Sequence, residues 1–439
     1  MTRDALLQAL RGGDPAAAVA AATALGTERD RTAVGALANA LRSVDPELRG
    51  AACQALGEIA DPRAVGPLVS TLRDPDEDVR GEAFSALLAI GQSRAGELPV
   101  DAFLGEDLLA PSDALTQVAW PTDLEALAVL VHALDDEDPE VRIGAGYTLG
   151  RLGIGGAFER LAHLLAQDPD PDVRAAMAFA LGDLIGAGDR RAVGALVSAW
   201  YQVGDSTELA VNITRSLSDA QDRAAYNVLV EALRHRDDRV RQLAAMGLGR
   251  LADASAVPRL ARALQDPHRG VRRVAAAALG ELADPMGIKP LVQTVSGNDA
   301  EVRATIAQAL ARMDTAAVQT HLAECLMTPD AGLREAAAYL LGRLGHVAGL
   351  RRALRDPDEH VRKAAALAIG NCAEPEYRGD LEAVLEDPAW SVRVAAAEGL
   401  RRMADARAVP ALQRHLSDEN RVVRNAVAVA LRSLGSDVQ

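Results

Sequence analysis

The chain has 439 residues and a net charge of −15, and 49% of its residues are apolar while only 3% are aromatic. The scarcity of aromatic side chains, and of lysines (two among 47 basic residues), argues against a surface that stacks bases and binds nucleic-acid phosphates. No run of 18 apolar residues and no N-terminal signal segment occur, so we expect a cytoplasmic protein without membrane insertion.

Charge is distributed unevenly along the chain. Residues 1–230 contain 18 arginines and 35 acidic residues, a balance of −17, whereas residues 231–439 contain 29 basic and 27 acidic residues, a balance of +2. This asymmetry predicts that the N-terminal half meets a basic partner or repels anionic surfaces such as nucleic acid.

The N-terminal segment 1–91 predicts paired helices. Residues 60–87 read ADPRAVGPLVSTLRDPDEDVRGEAFSAL, in which apolar residues at helical spacing form a helix A, a turn opens with Asp-Pro, and Val-Arg begins a helix B. We expect the Asp to cap helix B and the Pro to occupy its first position. The same pattern recurs with a period of about 31 residues and predicts further repeats over 122–218 and 219–439, separated from the first by a degenerate segment or insertion over 92–121.

The Arg at this position recurs eleven times, and in seven copies an Asp stands six residues before it. A pair repeated this often is unsuited to a single catalytic constellation, so we predict an Asp-Arg ladder that ties one turn to the next. The predicted ladder residues are Asp74, Arg80, Asp136, Arg142, Asp168, Arg174, Asp266, Arg272, Asp356, Arg362, Asp387, Arg393, Asp418 and Arg424.

The repeat fails in the segment 92–121. Between Arg94 and Arg142 there are twelve acidic residues and no basic one, and Pro111 stands near the place where Val-Arg is expected. Two interpretations remain open: a degenerate repeat that still packs, or a recognition segment whose acids steer a partner toward apolar anchors. The candidate partner-binding residues are Asp101, Phe103, Glu106, Asp107, Leu108, Leu109 and Trp120.

A second irregularity covers residues 200–219, where the spacing of the Arg residues lengthens to 67. Trp200 and Tyr201, at the end of its helix A, are predicted to belong to the core. The close-spaced glycines of LGRLGIGG (149–156) and GLGRLAD (247–253) are predicted to be helix C-caps, because Gly favours the left-handed conformation found there.

Residue types that would support catalysis or cofactor binding do not occur in characteristic spacings. The sequence contains no H-E-x-x-H, C-x-x-C, phosphate-loop or nucleophile-elbow motif. Cys53, Cys325 and Cys372 are far apart and are predicted to be buried free thiols. We therefore predict a non-enzymatic protein without catalytic residues, metal or cofactor.

The repeat resembles the HEAT-repeat family, specifically its short phycobilin lyase-type class, through residues such as Asp74, Val79 and Arg80. The resemblance implies an all-α, right-handed solenoid of about 13–14 helix pairs. The di-iron enzyme of this family, deoxyhypusine hydroxylase, binds its metals through His-Glu pairs. None of the eight histidines here is followed by Glu.

The resemblance also implies function. A HEAT-like solenoid of this type is expected to be a protein-protein interaction scaffold, and the acidic, lysine-poor composition is similar to that of haloarchaeal taxis proteins of the same repeat class. Such proteins are thought to link the response regulator CheY to the archaellum motor. The alternative is a phycobilin lyase-like subunit or chaperone that binds a bilin or a phycobiliprotein.

Overall fold

A computed structural model describes residues 2–12, 14–94, 130–296, 299–347 and 349–436. These residues form α-helices and short 3-10 turns, with no β-strand among them. The predicted all-α solenoid is therefore confirmed. Its handedness, the number of helix pairs and the four segment boundaries stay predictions, and the candidate recognition residues from Asp101 to Trp120 lie outside the described residues.

The chain divides into two compact units, Met1–Ala232 and Leu233–Gln439. In the first unit, B helices pack one on the next and the shorter A helices pack on the B helices. The described helices of this unit are α1 (Arg3–Leu10), α2 (Pro15–Thr27), α3 (Val34–Ala40), α4 (Pro46–Ile59), α5 (Val65–Thr71), α6 (Glu77–Arg94), α7 (Pro139–Arg151), α8 (Phe158–Gln167), α9 (Pro171–Gly186), α10 (Arg191–Trp200), α11 (Thr207–Ala220) and α12 (Tyr226–Ala232).

The second unit continues the alternation of short A and longer B helices. Its described helices are α13 (Asp238–Arg250), α14 (Val257–Ala263), α15 (Arg269–Leu282), α16 (Ile288–Gln293), α17 (Ala300–Ala311), α18 (Thr315–Cys325), α19 (Ala331–Arg343), α20 (Leu350–Ala353), α21 (Glu359–Cys372), α22 (Arg378–Val384), α23 (Trp390–Met403), α24 (Val409–Arg414) and α25 (Arg421–Ser433).

Asp residues start many of the B helices, in two ways. In α4, Asp45 caps the helix by accepting a hydrogen bond from the Glu47 N–H, and Pro46 is the first helical residue, as predicted. In α6 and α21 the prediction is wrong, because the Asp-Pro pair lies before the helix: Asp76 accepts from the N–H groups at the start of α6, and α21 is capped by Asp358, which accepts from the N–H groups of His360 and Val361. Asp356, the Asp of the turn, does not cap the helix, so its carboxylate is available for a contact elsewhere.

The predicted C-cap role of the glycines is correct only in part. Gly153 follows α7 with φ +65, as a C-cap glycine does. Gly150 and Gly249 instead lie inside α7 and α13, where they allow the next B helix to approach. A Cβ on Gly150 would lie 2.7 Å from the Cα of Ala180. The glycine is required by helix-helix packing, since any side chain would separate the two backbones.

The left-handed position after several B helices is occupied by alanine. Ala60, Ala252, Ala283, Ala373 and Ala404 all have φ between +49 and +54. An L-residue is strained in this region, which costs about 1 kcal/mol relative to glycine. These alanines are therefore sites where the fold tolerates local strain.

The core is built from Ala and Leu side chains of facing helices. Ala52 and Leu56 of α4 are completely buried, as is Cys53 beside them, and burial raises the pKa of the Cys53 thiol to about 12. The predicted free, buried thiols are confirmed for Cys53 and Cys325, whereas Cys372 is free but only half-buried. Small residues at the helix contacts let the B helices stack closely.

The tryptophan and tyrosine of the second irregularity separate. Trp200 is buried at 8% exposure, so its predicted core position is confirmed, while Tyr201 is 63% exposed and its prediction is wrong. The two residues are adjacent at the end of α10, and the helix ends between them. Tyr201 therefore points away from the packed face.

Candidate protein-interaction surfaces

Arginines at the start of the B helices contact two repeats at once. Arg362 donates from Nη1 to the backbone carbonyls of Asp356 and Pro357, at 2.9 and 3.1 Å. Its Nε and Nη2 donate to the two carboxylate oxygens of Asp387, at 2.7 and 2.9 Å. The ion pair thus runs forward to the next repeat, and the Asp six residues earlier contributes its backbone oxygen.

The same two-pronged pairing recurs along both units. Paired carboxylates also accept a backbone N–H from the residue two positions on, so that each closes its own turn as well. The pairs with this geometry are Arg49–Asp74, Arg142–Asp168, Arg241–Asp266, Arg334–Asp356, Arg362–Asp387 and Arg393–Asp418.

The paired groups are largely shielded from water. In the Arg393–Asp418 pair the side chains are only 9% and 6% exposed. The hydrogen bonds from Arg393 hold the pKa of Asp418 below its ordinary value, and Arg334 does the same for Asp356. Removing either partner would leave an uncompensated charge at the repeat contact.

Several predicted ladder residues depart from this geometry. Arg80 donates to Asp138 at 2.7 Å, while the Asp136 carboxylate accepts the Asp138 N–H. Arg272 lies 3.9 Å from Asp299. The remaining two, Arg174 and Arg424, donate to carbonyl oxygens of their own turns.

One arginine of the second unit lies at a gap in the ladder. Thr328 occupies the position where the carboxylate partner of Arg303 would stand, and the Nε of Arg303 is buried without a hydrogen-bond partner. The guanidinium lies 5.4 Å from the ring centre of Tyr339. This repeat contact lacks the two-pronged ion pair that Arg334 forms with Asp356 in the next one.

The first unit contains a polar and aromatic cluster on α7, α9 and α11. Tyr147 and Phe179 pack edge to face with ring centres 5.4 Å apart, and Arg151 lies 5.9 Å from the centre of the Phe179 ring. The Arg151 Nε is 3.7 Å from Asp183 Oδ2, a buried atom that accepts no hydrogen bond. Burial raises the pKa of Asp183 to about 6, against the opposing effect of Arg151, and the charge of Asp219 raises it further.

The second unit contains a groove of about 700 Å3. It is lined by the turn after α18, by α20 and the turn after it, and by α22. Its lining includes Met327, Arg351, Arg352, Arg355, Asp356 and Asp380. Sequence reasoning missed this groove. The available signal was the spacing of 28 residues between Arg334 and Arg362, three fewer than the repeat period.

Metal and membrane chemistry find no support in the described ranges. Within them, no group of three or more His, Cys, Asp or Glu side chains is placed to hold a metal ion. The helices in those same ranges are too short or too polar to cross a membrane. In both units, the features described above are charged and aromatic side chains on stacked helices.

Comparison with protein families decides the assignment of the fold. The family model for HEAT repeats matches residues 3–98, 112–182, 158–249, 200–276, 226–311, 260–342, 320–385 and 378–439. The chain belongs to the HEAT-repeat family. Solenoids of this family generally bind proteins, and their fold is typical of non-catalytic scaffolds.

Three solved structures are similar to this chain, and of these the first named below has a TM-score above 0.5. A structure of Kap95p bound to RanGDP is similar over 99% of this HEAT-repeat chain and 67% of its own, with 14% identity and a TM-score of 0.51. Importin beta matches 91% of the chain, which spans 61% of importin beta, at 14% identity and a TM-score of 0.49. An engineered protein matches 92% of the chain and 99% of its own length at 24% identity, with a TM-score of 0.35. Among curated proteins, none matches the sequence.

Proposed function

We propose that this HEAT-repeat protein is a non-catalytic scaffold that holds two proteins, one on each unit. The observation that carries this proposal is the charge difference between the halves of the chain, −17 over residues 1–230 and +2 over residues 231–439. Surfaces of such different potential select different partners, because like charges at an interface suppress association. Two partners held by one chain then meet at a raised local concentration.

In its most specific form, the proposal assigns the protein to archaeal taxis. The scaffold would link the response regulator CheY to the archaellum motor through a motor adaptor. Support comes from the resemblance in repeat type, size and composition, with two lysines among 47 basic residues. A receiver domain and a motor adaptor are two distinct partners, which fits the division into two units.

For the first unit, the proposed contact is the acidic segment that interrupts the repeats. Its acids would steer a basic partner surface, and its apolar residues would anchor it. The residues are Asp101, Phe103, Glu106, Asp107, Leu108, Leu109 and Trp120.

The test is binding of purified CheY and of the motor adaptor to the full chain, measured by calorimetry. A triple variant, Asp101→Asn with Glu106→Gln and Asp107→Asn, removes three charges from the acidic segment. Its matched control removes three charges from exposed positions elsewhere in the first unit, through Glu28→Gln, Glu47→Gln and Glu159→Gln. We expect the first variant to lose one partner and the control to keep both.

Two results would contradict parts of this proposal separately. Equal binding by both variants would remove the acidic segment from the interface, and no binding of either protein to the intact chain would remove the taxis assignment. A phycobilin lyase-like role is the alternative, and an absorbance change on adding a bilin would support it.

A further inference from the structure

A shortened repeat opens a groove in the second unit. The A helix of this repeat, α20, has only four residues, whereas its neighbours α18 and α22 have 11 and 7. The Arg334–Asp356 ion pair is nevertheless kept, with both contacts at 2.7 to 2.8 Å. The residues that this repeat lacks are therefore missing from its A helix. A space of about 700 Å3 remains between neighbouring turns.

Both acidic side chains of the groove are already neutralised. Asp356 is held by Arg334, which lowers its pKa. Asp380 accepts a hydrogen bond from Arg351 at 2.9 Å, and the Arg351 guanidinium lies 4.4 Å from the ring centre of Tyr377. These contacts fix Arg351 and leave neither carboxylate in need of another cation.

Two further arginines of the lining are available to a ligand. Arg352 and Arg355 are exposed and, among the described residues, form no ion pair or side-chain hydrogen bond. Arg352 is in α20 and Arg355 lies in the turn directly after it, where its N–H donates to the Arg352 carbonyl at 2.9 Å. This helical turn places the two side chains on the same side. Arginine binds carboxylates through two parallel hydrogen bonds, so this arrangement offers up to four donors to acidic groups.

An apolar side chain lies at the same groove. Met327 is 57% exposed in the turn after α18, although most large apolar side chains of this unit are buried. A flexible thioether adapts to different apolar partners. The groove therefore combines excess positive charge with one exposed apolar contact.

We propose that this groove binds an acidic segment of a partner protein, with Arg352 and Arg355 pairing with its carboxylates and Met327 contacting an apolar residue between them. The inference rests on the proposed scaffold function and gives the chemistry of the partner of the second unit. Charge complementarity selects a Glu- or Asp-rich segment over a basic one.

The test uses the full chain and a fluorescein-labelled 12-residue peptide of alternating Glu and Leu, followed by anisotropy. The double variant R352Q/R355Q should weaken binding at least tenfold, because it removes both free guanidinium groups. Met327→Ser should weaken it by a smaller factor. The matched control R262Q/R414Q changes the same repeat position, ten residues before the ladder Arg, in two repeats of normal length and should leave the affinity within twofold.

Unchanged affinity in R352Q/R355Q, or an equal loss in the control, would overturn the groove assignment. The scaffold function is tested separately, by measuring the binding of CheY and of the motor adaptor to the intact chain and to R352Q/R355Q. If the intact chain binds them and R352Q/R355Q binds both as well as the intact chain does, the groove proposal fails while the scaffold stands. If the intact chain binds neither, the taxis scaffold fails whatever the peptide shows.

Discussion

The close approach of successive B helices gives a prediction with an internal control in one helix. Gly57 and Gly50 both lie in α4. A Cβ on Gly57 would lie 2.9 Å from the Cα and 3.1 Å from the Cβ of Ala86, whereas a Cβ on Gly50 would meet nothing within 4 Å. Gly57→Ala should therefore destabilise the first unit, and Gly50→Ala should stabilise it.

The magnitudes follow from two opposing terms. Replacing glycine by alanine inside a helix gains about 0.8 to 1 kcal/mol through helix propensity. At Gly57 the contact with backbone is shorter than an ordinary carbon-carbon contact by about 0.6 Å or more, and such overpacking costs about 1 to 3 kcal/mol. We expect G57A to be about 1 kcal/mol less stable than the wild type and G50A to be up to about 1 kcal/mol more stable.

Urea unfolding followed by circular dichroism measures the difference. The midpoint is the quantity to compare, because a repeat protein need not unfold in two states and an extrapolated free energy then loses its meaning. A G57A midpoint equal to or above that of G50A would refute the conclusion that glycine at this position is required by helix packing.

Three further predictions concern the ladder, the helix ends and pH. Thr328→Asp should stabilise the second unit by about 1 kcal/mol by giving Arg303 a carboxylate partner, and an unchanged or lower urea midpoint would show that the guanidinium does not reach it. Ala283→Gly should raise the midpoint by the equivalent of about 0.5 kcal/mol, since the residue has φ +49, and a loss of stability would contradict backbone strain there. The pKa of Asp183 is about 6 in the folded state and near 3.8 when unfolded, so its burial costs no stability below pH 3.8, costs progressively more as pH rises from there to 6, and reaches its full cost above 6. Asp183→Asn should gain about 2 kcal/mol at pH 8 and nothing at pH 3, and a gain independent of pH would argue against this origin.

Much of the fold is predictable from the sequence because the information is local. Apolar spacing identifies the helices, and the recurring Arg marks the start of most B helices. Asp45 and Pro46 start α4 as predicted. These features depend on residues within one or two helical turns of each other.

The errors concern contacts between repeats. The sequence predicts Gly249 at a helix end, but a Cβ there would lie 2.9 Å from the Cα of Ala278, a residue of the next B helix. The distinction depends on two positions in different repeats: a glycine eight residues after one ladder Arg, and a small residue six residues after the next. The sequence prediction also left the partner of each ladder Arg unspecified, since Arg241 pairs with Asp266, which is 25 residues further on.

Among the candidate sites, the groove could be predicted from the short spacing between Arg334 and Arg362. That spacing does not predict which arginines of the groove are free. Arg351 and Arg352 are adjacent in α20, yet only Arg351 is held by Asp380. Which of two neighbouring arginines is occupied depends on the direction of each side chain relative to the next A helix. That direction is a property of the packed repeats.

The forward direction of the ladder has a consequence for how such a chain changes over generations. Each regular repeat brings a carboxylate for the repeat before it and a guanidinium for the repeat after it, so duplicating or deleting one whole repeat leaves every interior charge matched. Arg334 and Asp356 remain paired at a separation of 22 residues, where the other pairs are separated by 25 or 26. Insertions and deletions in a short A helix are therefore tolerated without breaking the Arg-Asp pair between repeats. New binding surfaces can arise at the A helices while the stacked B helices are inherited unchanged.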